Sequence, residues 1–217
     1  MGRLGAPAAV LWDMDGTLVD TEPYWIAVET EIAAARGYAW TPEDAMELVG
    51  NDLLVSGAAI KAKVGMEESP AEIVEMLLDG VVEAVRREIP WRPGARELLV
   101  ALREADVPCA LVTMSYQRFV EPILEQLPAD TFRVVVTGDM VTEGKPHPEA
   151  YLTAAAALGL DPTDCVAIED SPTGARSAEA AGCRLLVVPN HVPVPAAPTR
   201  SFRESLEGLG VEELAQL

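Results

Sequence analysis

The apolar positions of this chain follow two rhythms. Ala8-Ala9-Val10-Leu11-Trp12 is a short continuous apolar run that breaks into Asp13-Met14-Asp15-Gly16, the pattern of a buried strand that delivers polar residues at its carboxyl end. From Asp20 to Pro90 the pattern is helical only. Thr41-Pro42-Glu43-Asp44 and Ser69-Pro70-Ala71-Glu72 each set a capping hydroxyl before a proline at the first helical position, the second with a capping-box glutamate. A further helix is expected over residues 23–35, stopped at Gly37. After Trp91-Arg92-Pro93-Gly94 helix and strand alternate, with helices expected at 94–105, 117–126, 148–158 and 173–181 and strands at 109–113, 133–137, 165–169 and 184–188. Alternating units with continuous apolar strands imply an α/β fold, a Rossmann-like parallel sheet with helices on both faces. Residues 191–199 are proline-rich and read as an extended surface loop before a short last helix. The core is therefore expected to comprise residues 1–19 plus 91–217, with residues 20–90 an inserted helical subdomain.

Composition narrows the function classes. A chain of 217 residues buries roughly 70% of the surface its unfolded form exposes, so it needs no disulfide or metal to hold a core. Its 35 acidic and 16 basic side chains give a net charge of -19, which argues against nucleic acid and against anionic membrane as partners. Residues 20–90 hold 15 acids and five bases, net -10, so the insert has a strongly acidic surface. Cys109, Cys165 and Cys183 are odd in number and lack ligand spacing, as expected of small buried residues in a reducing compartment. No signal-like or membrane-spanning apolar stretch is read, and a cytoplasmic location is expected.

In open parallel sheets ligands gather outside the carboxyl ends of the strands, and the polar interruptions fall there: Asp13 and Asp15, Thr113, and Glu169-Asp170, with Lys145 in the loop after the strand ending at Thr137. A period of two sends the Asp13 and Asp15 side chains to one side of an extended backbone, where like charges repel unless a cation intervenes. The pair suits either a metal site or a nucleophile beside a proton carrier. A plain Asp-Gly turn is the alternative; an EF-hand is excluded because Gly16 stands at loop position four instead of six. Thr113 can be an ordinary strand residue and Glu169-Asp170 the start of a helix. Lys145 is one of three lysines in an acidic chain and sits between Gly144 and Pro146, which makes a merely solvated loop lysine the weaker reading. His147, between two prolines, reads as a loop packing residue.

Val10-Leu11-Trp12-Asp13-Met14-Asp15-Gly16-Thr17 resembles the first motif of the haloacid dehalogenase-like hydrolases. Three more motifs follow in order: Thr113, then Gly144-Lys145-Pro146-His147-Pro148, then Ile168-Glu169-Asp170-Ser171-Pro172-Thr173-Gly174. The insert is similar to the α-helical cap of the subfamily containing phosphoglycolate phosphatase, sugar-phosphate phosphatases and β-phosphoglucomutase. The resemblance implies that Asp13 attacks phosphorus to give an aspartyl phosphate and that Asp15 is the general acid and base, with its backbone carbonyl on Mg²⁺. It further implies that Asp170 completes the Mg²⁺ ligands with Glu169 close by, and that Thr113, Met114 and Lys145 hold the phosphoryl group. Partners are then a small phosphorylated metabolite, with no nucleic acid or membrane; a monomer is expected, with a dimer left open.

Asp15 favours phosphoryl transfer over carbon–halogen cleavage, which has no need of an acid there. Phosphonate-cleaving relatives need a cap lysine, for which Lys61 and Lys63 are the candidates; both read better as solvated helix residues. Trp25 stands where phosphosugar mutases carry a histidine, and Gly50-Asn51-Asp52-Leu53-Leu54 lacks the arginine that grips a second phosphate. A substrate with one phosphate and a neutral or hydroxylated remainder is expected, chosen by Tyr24, Trp25, Asn51 and Asp52 with Ser115 and Gln117 from the core. The alternatives are a phosphosugar mutase and a catalytically silent phosphometabolite-binding protein.

Overall fold

A computed structural model describes residues 6–49 and 53–217; the candidate substrate residues Asn51 and Asp52 lie outside the described residues. The chain divides into two compact units, one made of the residues up to Asp20 together with Pro90–Leu217, the other Thr21–Ile89. No helix among the described residues is long and apolar enough to cross a membrane.

The first unit opens with β1 (Ala9–Trp12), every residue of which is buried. The second unit then intervenes as four helices, α1 (Glu22–Ala34), α2 (Pro42–Met46), α3 (Leu53–Val64) and α4 (Pro70–Arg87). Helix α4 is capped as its sequence implies: the Ser69 hydroxyl accepts from the Glu72 backbone and the Glu72 carboxylate accepts from the Ser69 backbone. It buries Ile73, Val74, Leu77, Leu78, Val81, Val82 and Val85, a stripe at helical spacing in which each aliphatic side chain contributes about 1.5–3 kcal/mol. Thr41 caps α2 in the same way with Asp44, but that helix lasts only five residues. Helix α3 falls in the stretch the sequence reads as helical and carries Lys61 and Lys63, but no cap or apolar stripe marks its bounds. It turns Ser56, Gly57 and Ile60 inward and leaves Leu54 and Val55 about half exposed, the reverse of an amphipathic pattern.

The first unit resumes with α5 (Ala95–Glu104), β2 (Cys109–Val112), α6 (Gln117–Leu124), β3 (Val134–Val136), α7 (Glu149–Leu158), β4 (Cys165–Glu169), α8 (Pro172–Ala181), β5 (Arg184–Val187), β6 (Arg200–Phe202) and α9 (Val211–Leu214). The strands form one parallel sheet in the order β3-β2-β1-β4-β5-β6. Strand β1 is central, with Leu11 opposite Ala110 on β2 and Ala167 on β4. Asp13 N–H extends the ladder to the Ile168 carbonyl at 3.1 Å and Thr113 N–H to the Val136 carbonyl at 2.9 Å, so the polar residues leave three neighbouring strands at one level.

Strand β6 is an element the sequence did not announce. Arg-Ser-Phe has no apolar run; it pairs in parallel with β5, Leu186 opposite Ser201, and the Arg200 guanidinium donates to both Glu179 oxygens at 2.8 and 2.6 Å, a forked pair that also ties the strand to α8.

Inside the second unit, Glu29 on α1 is only 5% exposed and accepts from the Trp40 indole N–H at 3.2 Å. Burial, with Glu22 adding to it, pushes its carboxyl from the ordinary 4.5 up to about 7. Below pH 4.5 folded and unfolded chains both hold this proton. As pH rises, the unfolded chain ionises first, so stability falls until the folded carboxyl has also ionised. Glu29→Gln is therefore expected to raise stability at pH 8 by about 1–3 kcal/mol and to give no such gain at pH 4, as thermal melts at the two pH values will test; an equal effect at both would contradict the assignment.

Candidate active site

Four segments at the carboxyl edge of β1, β2 and β4 build the site: Asp13 and Asp15 after β1, Thr113-Met114-Ser115 after β2, the loop carrying Lys145, and Glu169-Asp170 at the end of β4. Lys145 is its hub. The side chain is 5% exposed, and its ammonium donates to Asp13 Oδ1 at 2.7 Å, Glu169 Oε1 at 2.7 Å and the Val112 carbonyl at 2.9 Å. All three ammonium protons are thereby taken. Burial works against the charge, but Asp13 and Glu169 outweigh it and hold the ammonium above its ordinary range.

The loop that presents Lys145 is fastened at several points. Its backbone N–H donates to the Met114 sulfur at 3.2 Å, the His147 carbonyl accepts from the buried Ser177 hydroxyl at 2.7 Å, and the Glu149 carboxylate accepts from the N–H groups of Thr142 and Glu143. The His147 side chain is exposed rather than packed, which corrects the sequence expectation; its ring Nδ1 accepts from the Glu149 N–H at 3.3 Å, and its carbonyl takes the Ser177 bond.

One carboxylate oxygen each from Asp13, Glu169 and Asp170 lie within 4.8 Å of one another. Burial, then Asp13 and Glu169, push the Asp170 carboxyl up to about 8, and burial with Asp13 raises Glu169 against the opposing pull of Lys145. Asp13 Oδ2 is buried with no hydrogen-bond partner. An orphaned carboxylate oxygen inside a cluster of acids, all of them hard oxygen donors, fits a divalent cation of the magnesium or calcium type. The backbone is shaped for this crowding. Gly16 has φ +89°, and a Cβ there would stand 2.1 Å from Asp170 Oδ2; a Cβ on Gly174 would stand 1.9 Å from Glu169 Oε2.

Asp15 has a partner set of its own. Its Oδ2 accepts from the Ser115 hydroxyl at 2.7 Å and from Thr113 Oγ1 at a long 3.4 Å, while Thr113 Oγ1 itself accepts from Ser115 N–H at 3.0 Å. Its side chain faces hydroxyls, whereas Asp13 faces an ammonium. Ser115, expected among substrate contacts, thus orients Asp15. Gln117, expected beside it, is exposed and bonds along its own helix to Glu121 at 2.8 Å. In the second unit Tyr24 and Trp25 lie on α1, with the Tyr24 hydroxyl on the Glu88 carbonyl at 3.2 Å. Lys61 donates to the carbonyls of Glu67 and Glu68 and Lys63 pairs with Asp44 and Glu47, so both are engaged rather than simply solvated. Tyr151 was missed by the sequence reading: its hydroxyl donates to Glu169 Oε1 at 2.6 Å. The signal available was a tyrosine inside an alanine-rich helix, six residues after Lys145.

An acid cluster with a buried lysine at the carboxyl edge of a parallel sheet defines a Rossmann-like α/β enzyme site, here with a helical unit inserted after the first strand. The model of the haloacid dehalogenase-like hydrolase family matches residues 7–182, and the chain belongs to that family. Hexitol phosphatase A of Escherichia coli (strain K12) is 38% identical to it over 184 residues, 82% of this chain and 81% of that protein. Hexitol phosphatase B of the same organism is 31% identical over 184 residues, 83% of each. The crystal structure of CbbY from Rhodobacter sphaeroides in complex with phosphate superposes with a TM-score of 0.80 at 30% identity, covering 97% of this chain and 100% of that one.

If the acid cluster takes a divalent cation, magnesium raises the melting midpoint, by about 2–3 kcal/mol in stability at a hundredfold excess over Kd. Asp170→Asn is expected to lose most of that gain. Melts with EDTA and with magnesium test this; a midpoint indifferent to magnesium in the unsubstituted chain would contradict the cation site.

Proposed function

We propose that this chain is a magnesium-dependent phosphatase that hydrolyses a small phosphomonoester, a sugar phosphate or similar metabolite, through an aspartyl phosphate on Asp13. The observation that carries this reading is the state of Asp13: one oxygen is fixed by Lys145 and the other is buried without a partner. A carboxylate so oriented and so poorly solvated is prepared to attack. The similarity to the two hexitol phosphatases supports a phosphorylated polyol or sugar as the substrate class.

In the first half-reaction an Asp13 oxygen bonds to phosphorus, the ester P–O bond breaks, and Asp15 gives its proton to the departing alcohol. In the second, water bonds to phosphorus as Asp15 takes its proton, the bond to Asp13 breaks, and inorganic phosphate leaves. The hydroxyls of Ser115 and Thr113 hold the Asp15 carboxylate at the site. Lys145 adds positive charge and Thr113 and Met114 add contacts at the phosphoryl oxygens. Asp13, Asp170, the Asp15 backbone carbonyl and, beside them, Glu169 would hold the magnesium ion, which supplies positive charge to offset the crowded anions.

In this reading residues 20–90 are a cap that selects the alcohol portion of the substrate, with Tyr24, Trp25, Asn51 and Asp52, and Ser115 and Gln117 of the core, as the specificity residues. A cytoplasmic enzyme accords with three free, buried cysteines, whose thiols burial pushes up to about 12, 11 and 12 for Cys109, Cys165 and Cys183.

Phosphate release from p-nitrophenyl phosphate is expected with magnesium and not with EDTA, and Asp13→Asn should abolish it; an Asp13→Asn variant that still turns over would defeat the nucleophile assignment. Asp15→Asn should lower turnover of alkyl phosphates by about 10²–10⁴-fold and the first step with p-nitrophenyl phosphate much less, because that leaving group needs little protonation. Equal losses in that step, measured by rapid quench, would contradict the acid role. Conversion of glucose 1-phosphate to glucose 6-phosphate without phosphate release would replace the phosphatase with a mutase.

A further inference from the structure

Helix α7 carries a tyrosine that packing alone does not require. Its buried residues are Ala150, Tyr151, Ala154 and Ala155, and Tyr151 is wholly buried in the same cluster as Leu11, Val112 and Ala167. Phenylalanine would fill that space as well; a buried hydroxyl, by contrast, must find an acceptor. The acceptor is Glu169 Oε1 at 2.6 Å, the same atom that takes Lys145 Nζ at 2.7 Å. The tyrosine ring also lies 5.1 Å from Nζ, within cation–π range. Tyr151 therefore touches both members of the Lys145–Glu169 pair.

The terminal torsion of a glutamate is broad and soft, so a carboxylate with one firm partner can rotate about it. On its other side Glu169 Oε2 meets the Ser171 hydroxyl at a long 3.4 Å. Oε1 has two short partners, Lys145 and Tyr151, and of the two it is Tyr151 that is anchored in the apolar core, so its bond adds a fixed reference to the rotation and to the direction in which Lys145 is drawn. We propose that Tyr151 is a positioning residue: its hydroxyl locks the Glu169 carboxylate in the orientation that aims the Lys145 ammonium at Asp13. Its effect on turnover rests on the phosphatase reading above; its effect on Lys145 does not.

The chain has three lysines, Lys61, Lys63 and Lys145, so a ¹H–¹⁵N spectrum of the side-chain ammonium groups can be assigned by substitution. The expected spectrum has one slowly exchanging ammonium, absent in Lys145→Arg. In Tyr151→Phe that signal should shift or broaden away while those of Lys61 and Lys63 stay in place. The same variant should hydrolyse p-nitrophenyl phosphate with kcat roughly tenfold lower and KM changed less than about twofold, at a melting midpoint near that of the unsubstituted chain. Tyr151→Leu, which also removes the ring, should lower both kcat and the midpoint. An unmoved Lys145 signal in Tyr151→Phe would overturn the proposal, and so would a moved signal with unchanged kcat. If Tyr151→Phe does not fold, the Tyr151 hydroxyl proton of the unsubstituted chain carries the test: a slowly exchanging signal with a cross-peak to the Lys145 ammonium supports the proposal and its absence overturns it. If the unsubstituted chain releases no phosphate from any ester, the phosphatase reading falls, and the ammonium spectrum still decides whether Tyr151 orients Lys145.

Discussion

The site is governed by the cost of crowding carboxylates in a place that water hardly reaches. Asp13, Glu169 and Asp170 come within 4.8 Å of one another because parallel strands in register release their last residues at the same level. Lys145 is the counter-charge the protein itself provides. With every group ionised, three carboxylates and one ammonium leave a formal charge of -2 (-3 + 1), which a divalent cation matches. The raised Asp170 carboxyl and the partnerless Asp13 oxygen are two expressions of that same excess.

The surrounding structure is arranged to make the crowding tolerable and directional. Glycine at positions 16 and 174 lets backbone approach the carboxylates where a side chain could not fit. Hydroxyls of Ser115 and Thr113 take the carboxylate of Asp15, and Tyr151 takes that of Glu169. Each acid thus has a different set of partners: an ammonium for Asp13, hydroxyls for Asp15, an ammonium and a phenol for Glu169. Environment, not residue type, separates their chemistry.

Much of this is legible in the sequence because strand ends are easy to read: a continuous apolar run that stops at Asp13 or Glu169 announces both the strand and the residue it delivers. Lys145 is legible because lysine is rare in the chain. What escapes is whatever depends on rotamers or on contacts distant in sequence. The two-residue spacing of Asp13 and Asp15 says that they share a face, not that Ser115, 100 residues away, would bond one of them. Tyr151 looks like core filling until its hydroxyl is placed. Strand β6 and the bounds of helix α3 escape for a related reason: one is a three-residue strand held by pairing with β5 and an ion pair to Glu179, and the other turns Ser56 and Gly57 inward, so neither carries the apolar rhythm that marks an element.

The most direct measurement is the covalent state of residue 13 during turnover. Acid quench of the enzyme with excess phosphomonoester and magnesium, followed by borohydride reduction and peptide mass mapping, converts an aspartyl phosphate into homoserine at the position that carried it. Homoserine at position 13, appearing only with substrate and absent from Asp13→Asn, is the expected result. Unmodified Asp13 in an enzyme that is turning over, or homoserine at Asp15 or Asp170 instead, would contradict Asp13 as the nucleophile.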